Sequence, residues 1–246
     1  MFYTLLRLRR AHVFLGTQRR SLGTRRASKV LGRTSGCALS FETLRSCDFP
    51  CAGQEFCAGT VFGQPCAAAA ACIDDDGHCD IPAEFVSIAG WAFDGLESLT
   101  SVTIHSGVTT IGQFAFRGTR LTSVTFPDDL TEILDEAFFA VTTLSTVTFG
   151  SGITAIGQRA FADTSLSIVS LPDSVTTVGR EAFASIVELT TATIGAGLQT
   201  LPQKMFSHSG LTNITIPSTV SRAEAWVFSY CASLTSITIE ASVGEI

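Results

Sequence analysis

The chain has 246 residues, 46% of them hydrophobic, which is ample for a sizeable core. No apolar run reaches the ~18 residues that a membrane-crossing helix needs. The formal charge of −6 conceals a division, because residues 1–36 hold nine of the 16 basic residues and no acid, leaving seven basic residues against all 22 acidic ones in the rest; a body this acidic argues against a nucleic-acid surface, which needs clustered Arg and Lys.

Residues 1–36 read as a leader: Arg-rich, acid-free and supplied with Ser and Thr, the composition of an organelle transit peptide. A secretory signal fits poorly, since the short apolar run Phe2-Tyr-Thr-Leu-Leu6 is followed at once by Arg7, Arg9 and Arg10. A disordered basic tail, or a stretch upstream of the true start, is the alternative. The pairs Arg19-Arg20 and Arg25-Arg26 are too dispersed to weigh as a nuclear-type basic cluster.

Residues 37–75 form a Cys-rich segment. Seven of the eight cysteines are Cys37, Cys47, Cys51, Cys57, Cys66, Cys72 and Cys79. None makes a Cys-x-x-Cys pair and only His78 lies nearby, which disfavours a structural zinc site. The expectation is a disulfide-stapled N-terminal cap, holding together a segment too small to bury its own core. Free thiols in a reducing compartment are the alternative. Compartment is therefore left open: disulfides favour a secreted or cell-surface protein, and the Arg-rich leader an organelle. Asp74-Asp75-Asp76-Gly77 suggests a calcium loop, but the first ligand position falls on Cys72 and the twelfth, where Glu is needed, on Ala83. A solvated acidic turn is the reading.

Residues 76–246 repeat one pattern about seven times, the signature of a solenoid. Leu99-Thr-Ser-Val-Thr-Ile104 leads to Val108, Ile111 and Phe116, and Leu121-Thr-Ser-Val-Thr-Phe126 leads to Leu130, Ile133 and Phe138. The Phe column is Phe93, Phe116, Phe138, Phe161, Phe183, Phe206 and Phe228, spaced alternately by 23 and 22 residues. Pro82, Pro127, Pro172 and Pro217 follow the strand end at intervals of 45, marking a double repeat; Pro cannot extend a strand ladder and starts the turn. Carried backward, the register puts Cys79 in the buried Val slot, so the solenoid begins near Asp76. Three residues after the Phe, an apolar slot holds Leu96, Val141, Ile186 and Cys231, which makes Cys231 a small core residue rather than a nucleophile.

In each copy Val and Ile face inward and Ser and Thr outward, as a half-buried strand requires. The Val-Thr-Thr-Ile piece is expected to form a second short strand. No copy can bury its Phe alone; stacking the copies makes one core.

The pattern Leu-x-x-Val-x-Ile-Pro-x-x-Val-x-x-Ile-Gly-x-x-Ala-Phe, cleanest at Leu166 to Phe183, resembles the BspA-like subclass of leucine-rich repeats. The resemblance covers residues 76–246. It implies a mainly β right-handed solenoid with a parallel sheet on one face and short turns or 3-10 segments elsewhere. It also implies a secreted or surface protein acting in adhesion and protein recognition. The Arg-rich leader and the lack of a visible C-terminal cap depart from that family.

Two outward rows are the candidate binding face. One is Thr103, Thr125, Thr148, Ser170, Thr193, Thr215 and Thr238, and the other is Ser101, Ser123, Thr146, Ile168, Thr191, Asn213 and Ser236. The rows either solvate a strand face or recognise a protein or glycan partner, as repeat folds do. The rival from another class is a surface-coat protein whose Thr ladder contacts ice or a polymer. Asn213-Ile-Thr215 is a glycosylation sequon on this face, short enough to arise by chance. No enzyme, metal or cofactor is expected, because the four His recur with no Ser, Cys or Asp partner at repeat-related positions. Asp128, Asp129, Glu132, Asp135 and Glu136 read as a solvated rim. Ile239, Val243 and Ile246 continue the template, and the copy stops before its Ala-Phe. The expectation there is end-to-end self-association or a fragment end.

Overall fold

A computed structural model describes residues 55–56 and 72–240. The leader, Cys37, Cys47, Cys51, Cys57, Cys66, Val243 and Ile246 lie outside the described residues. Each copy contributes two strands. The longer ones, His78–Asp80, Ser101–Thr103, Ser123–Thr125, Thr146–Thr148, Ile168–Ser170, Thr191–Thr193, Asn213–Ile216 and Ser236–Ile239, form the sheet face. Short strands such as Ser87–Ile88, Thr110–Ile111, Glu132–Ile133 and Ala155–Ile156 form a second ladder on the flank. All strand pairings are parallel, and from residue 78 onward paired residues lie 22 or 23 apart: Val124 opposite Val147, Ala192 opposite Ile214, Ile111 opposite Ile133. The flank ladder also takes in Glu55–Phe56, which pairs with Ser87–Ile88.

Between the strands the Phe turns make a third ladder. In one turn the N–H groups of Trp91, Phe93 and Gly95 donate to the carbonyls of Gln113, Ala115 and Arg117 in the next, at 2.9, 2.7 and 2.8 Å. Those turns enclose the largest buried side chains. Phe93 through Phe206 are fully buried, and the rings from Phe93 to Phe228 stack at centroid distances rising from 4.9 to 6.0 Å. Cys79 is buried in the Val slot, opposite Val102, and is disulfide-bonded to Cys72. Cys231 is half-buried in the last turn, its thiol 3.1 Å from the Phe206 carbonyl. In the shorter connectors that slot holds buried Thr119 and Thr164, each donating its hydroxyl to the carbonyl of the Phe three residues before.

In two of the four Pro copies, those of Pro127 and Pro172, the 45-residue alternation has a steric side. Copies with Pro-Asp after the strand present Asp128 and Asp173, whose Oδ1 atoms accept from the Ser151 and Ala196 N–H groups at 2.8 and 2.7 Å. The following copy must come close enough to donate, and it does so through glycine. A Cβ on Gly152 or Gly197 would lie 2.0 or 2.1 Å from the Asp128 or Asp173 carbonyl oxygen. Backbone oxygen cannot give way as a side chain can. Gly152→Ala is therefore expected to cost about 1–3 kcal/mol, read as a lowered urea midpoint, whereas Gly107→Ala meets no atom within 4 Å of its Cβ and its cost is confined to its φ of 97°.

The turn acids thus correct the expectation of a merely solvated rim. Besides Asp128 and Asp173, Asp129 accepts from Gly107 N–H at 2.8 Å and Asp135 from Gln158 N–H at 2.7 Å. The backbone donation from Ser151, reinforced by its hydroxyl, holds the Asp128 carboxyl below its ordinary range. Asp74 accepts hydrogen bonds within its own turn, from the Asp76 and His78 N–H groups at 3.0 and 2.8 Å. Among the described residues no helix is long and apolar enough to cross a membrane.

Candidate functional site

The sheet face places the two outward rows side by side, because alternate residues of a strand point the same way. Ser123 and Thr125 stand opposite Thr146 and Thr148; Ile168 and Ser170 oppose Thr191 and Thr193, which oppose Asn213 and Thr215, which oppose Ser236 and Thr238. All twelve are exposed. Ile168, 57% exposed, is the one apolar side chain among them.

Ser101 and Thr103 differ. His78, one copy earlier, reaches both: Nδ1 lies 2.8 Å from the Ser101 hydroxyl and Nε2 3.1 Å from that of Thr103. Beside them His105 pairs with Asp80 at 2.7 Å. The N-terminal end of the face is therefore closed by imidazoles, and the uncommitted rows begin at Ser123. From Thr125 to Thr238 the hydroxyls make no hydrogen bond among the described residues. The neighbouring Thr column behaves otherwise: Ser145 and Thr235 each donate to the Thr carbonyl of the preceding copy, at 3.2 and 2.9 Å. On the flank a further Thr column stitches the coil in the same way, Thr131 and Thr154 donating to the Thr109 and Thr131 carbonyls at 3.0 and 3.1 Å, whereas the hydroxyls of the two outward rows stand free from Ser123 onward.

A second surface lies over the Phe turns. Two residues before each Phe, and two after, the backbone is left-handed, although most side chains there are not glycine. Trp91, Phe114, Glu136, Arg159, Glu181, Lys204 and Trp226 make one column, with φ between 52 and 65°. Gly95, Gly118, Ala140, Asp163, Ser185, His208 and Tyr230 make the other, with φ between 57 and 69°. Each sits third in a tight turn, as Leu96 N–H donating to the Phe93 carbonyl shows, where a type II turn requires positive φ. The third ladder holds them there. Left-handed backbone costs a non-glycine residue about 1–2 kcal/mol, and glycine already fills this slot at Gly95 and Gly118. Ala140→Gly is accordingly expected to stabilise the protein slightly, by up to about 1 kcal/mol, seen as a raised melting temperature.

This surface collects both Trp residues and most ion pairs. Asp94, almost wholly buried, takes two hydrogen bonds from Arg117 at 2.7 and 2.6 Å, and these raise the guanidinium's affinity for its proton. The Arg117 guanidinium also lies over the Phe114 ring at 4.6 Å, and that of Arg159 over Phe139 at 4.1 Å. Glu181 has Arg180, Lys204 and Arg159 within 3.1, 3.3 and 3.8 Å. Partial burial pushes its carboxyl up, but the hydrogen bonds from Lys204 and Arg180 outweigh that and hold it below the usual range. Between the columns the floor changes along the coil: Asp94, Arg117 and Phe139 fill it, whereas Ala162, Ala184, Ser207 and Ser229 leave a cleft of about 190 Å³. The sequence reading passed over these columns; aligning the residues on either side of each Phe is the signal that finds them.

The sequence pattern of the BspA type leucine rich repeat region matches in six copies over residues 77–186 and 154–246. Of solved structures, a leucine-rich repeat protein from Bacteroides ovatus is similar with a TM-score of 0.62 and 27% identity, over 65% of this chain and 45% of that one. A leucine-rich repeat protein of T. pallidum is similar with a TM-score of 0.55 and 28% identity, over 67% of this chain and 71% of that one. The chain thus spans less than half the length of the Bacteroides protein. No curated protein matches the chain. Stacked parallel copies, the buried Phe column and the matched repeat pattern agree: the chain belongs to the BspA type leucine-rich-repeat family.

Proposed function

We propose that the chain is a non-catalytic recognition module that docks a protein partner on the outward rows from Ser123 to Thr238. One observation carries the reading: within an acidic body, these rows hold no charged side chain and their hydroxyls are uncommitted. Hydroxyls that both donate and accept, on strands locked by two further ladders, give a rigid surface that loses little entropy on binding. Ile168 supplies an apolar anchor near the middle. Repeat folds bind partners on extended faces of this kind. An extracellular setting suits the reading, since the Cys72–Cys79 disulfide persists where conditions are oxidising.

The test is an array of purified secreted and cell-surface proteins probed with the full chain. The strongest capture should weaken about tenfold or more in Thr148→Lys and in Thr193→Lys, because each puts an unpaired charge into a neutral contact. Full binding by both variants would rule out this face.

A further inference from the structure

We propose that the cleft above the fourth to seventh Phe turns is a saccharide subsite, separate from the Ser/Thr face. Its floor is Ala162, Ala184 and Ser207, and its walls include Lys204, Ser185 and His208. It is open for a local reason. The floor column carries Arg117 and Phe139 in earlier copies and drops to alanine and serine from residue 162 onward.

Ser207 is the second observation. It is 3% exposed and lines the cleft, yet its hydroxyl makes no hydrogen bond among the described residues. Unlike the Ser174 hydroxyl, which is buried and unpartnered, that of Ser207 opens onto the cleft, the direction from which a partner can reach it. The charged walls are matched already: Glu181 is held by Arg159, Arg180 and Lys204, and Asp163 lies 4.0 Å from Arg159. An ionic ligand would have to displace one of those pairs. What stays uncommitted is the Ser207 and Ser185 hydroxyls and the His208 imidazole, groups that each donate or accept. Their complement is a neutral ligand whose own hydroxyls do both, a sugar ring. Tyr230, stacked on His208 with centroids 4.4 Å apart, adds an aromatic ring at the same wall for the C–H edges of such a ligand. At about 190 Å³ the cleft is smaller than the roughly 300 Å³ of drug-sized sites, so it takes one ring of a longer glycan.

The experiment probes a printed array of defined neutral and acidic oligosaccharides with the full chain, then titrates the strongest neutral binder calorimetrically. Ala184→Phe copies the natural Phe139 of the same column and should weaken that binding about tenfold or more by filling the cleft, while Ser207→Ala should weaken it about three- to tenfold by removing one hydrogen bond. Thr148→Lys should leave it unchanged. Melting curves establish that the variants fold, and Ser207→Ala decides if Ala184→Phe does not. The proposal is overturned if no neutral saccharide binds, or if only acidic ones do. Binding that survives the cleft variants, or is lost in Thr148→Lys, overturns it equally.

Discussion

Phe161→Ala is expected to destabilise the solenoid by about 3–5 kcal/mol, the largest effect of any single truncation. Phe161 is fully buried and stacked between Phe138 at 5.2 Å and Phe183 at 5.5 Å, with Phe126 and Phe149 edge-on at 6.3 and 5.7 Å. Removing the ring leaves a void walled by four other rings. The surrounding backbone cannot close on it, because Phe161 N–H is bonded to the Ala182 carbonyl at 2.9 Å and Phe138 N–H to the Ala160 carbonyl at 2.8 Å. Phe228→Ala, at a half-buried site with one stacked neighbour at 6.0 Å, should cost much less. Urea denaturation followed by circular dichroism measures both. Equal losses would mean that the stack is not a cooperative core.

Arg117→Ala is expected to cost about 2–3 kcal/mol, short of the full penalty for breaking a buried pair because Arg117 itself is partly exposed. The variant strands the Asp94 carboxylate, 7% exposed, without its two charge-assisted hydrogen bonds. The double variant Asp94→Ala/Arg117→Ala should recover part of the loss, because it recreates the Ala162 and Ala184 arrangement of the same column. A double-mutant cycle by chemical denaturation gives the coupling directly. A double variant as unstable as the sum of its singles would show the two side chains to be independent.

Most of the fold was legible because burial repeats. The Leu, Val, Ile and Phe columns recur at fixed spacing, and the structure buries most of them, including the atypical Cys79, but leaves Ile237 and Ile239 of the last described strand exposed. Pro127 and Pro172 announced the double repeat, although its reason, Gly152 and Gly197 passing over carbonyl oxygens, is a matter of ångströms that spacing does not carry. The outward rows were also legible, since strand alternation sets their direction. His78 was not: its reach to Ser101 and Thr103 depends on two neighbouring copies being in register. Least legible were the left-handed columns. A sequence marks positive φ when it places glycine there, as at Gly95 and Gly118, but Arg159, Glu181, Lys204 and His208 carry no such mark. Their conformation is imposed by the ladder between turns, so the cleft they wall became visible only with the coil assembled.

The division of labour, inward columns for the fold and outward Ser/Thr rows for the partner, is tested most directly by lysine variants on four sides of the coil. These are Thr148→Lys on the sheet face, Gln158→Lys on the flank, Val187→Lys on a connector and His208→Lys on the cleft wall, all exposed positions. Their affinities are measured against the one protein that the array captures. The account predicts that Thr148→Lys alone loses about tenfold or more, with all four melting close to the parent. Full affinity in Thr148→Lys, together with a loss in any of the other three, would contradict it.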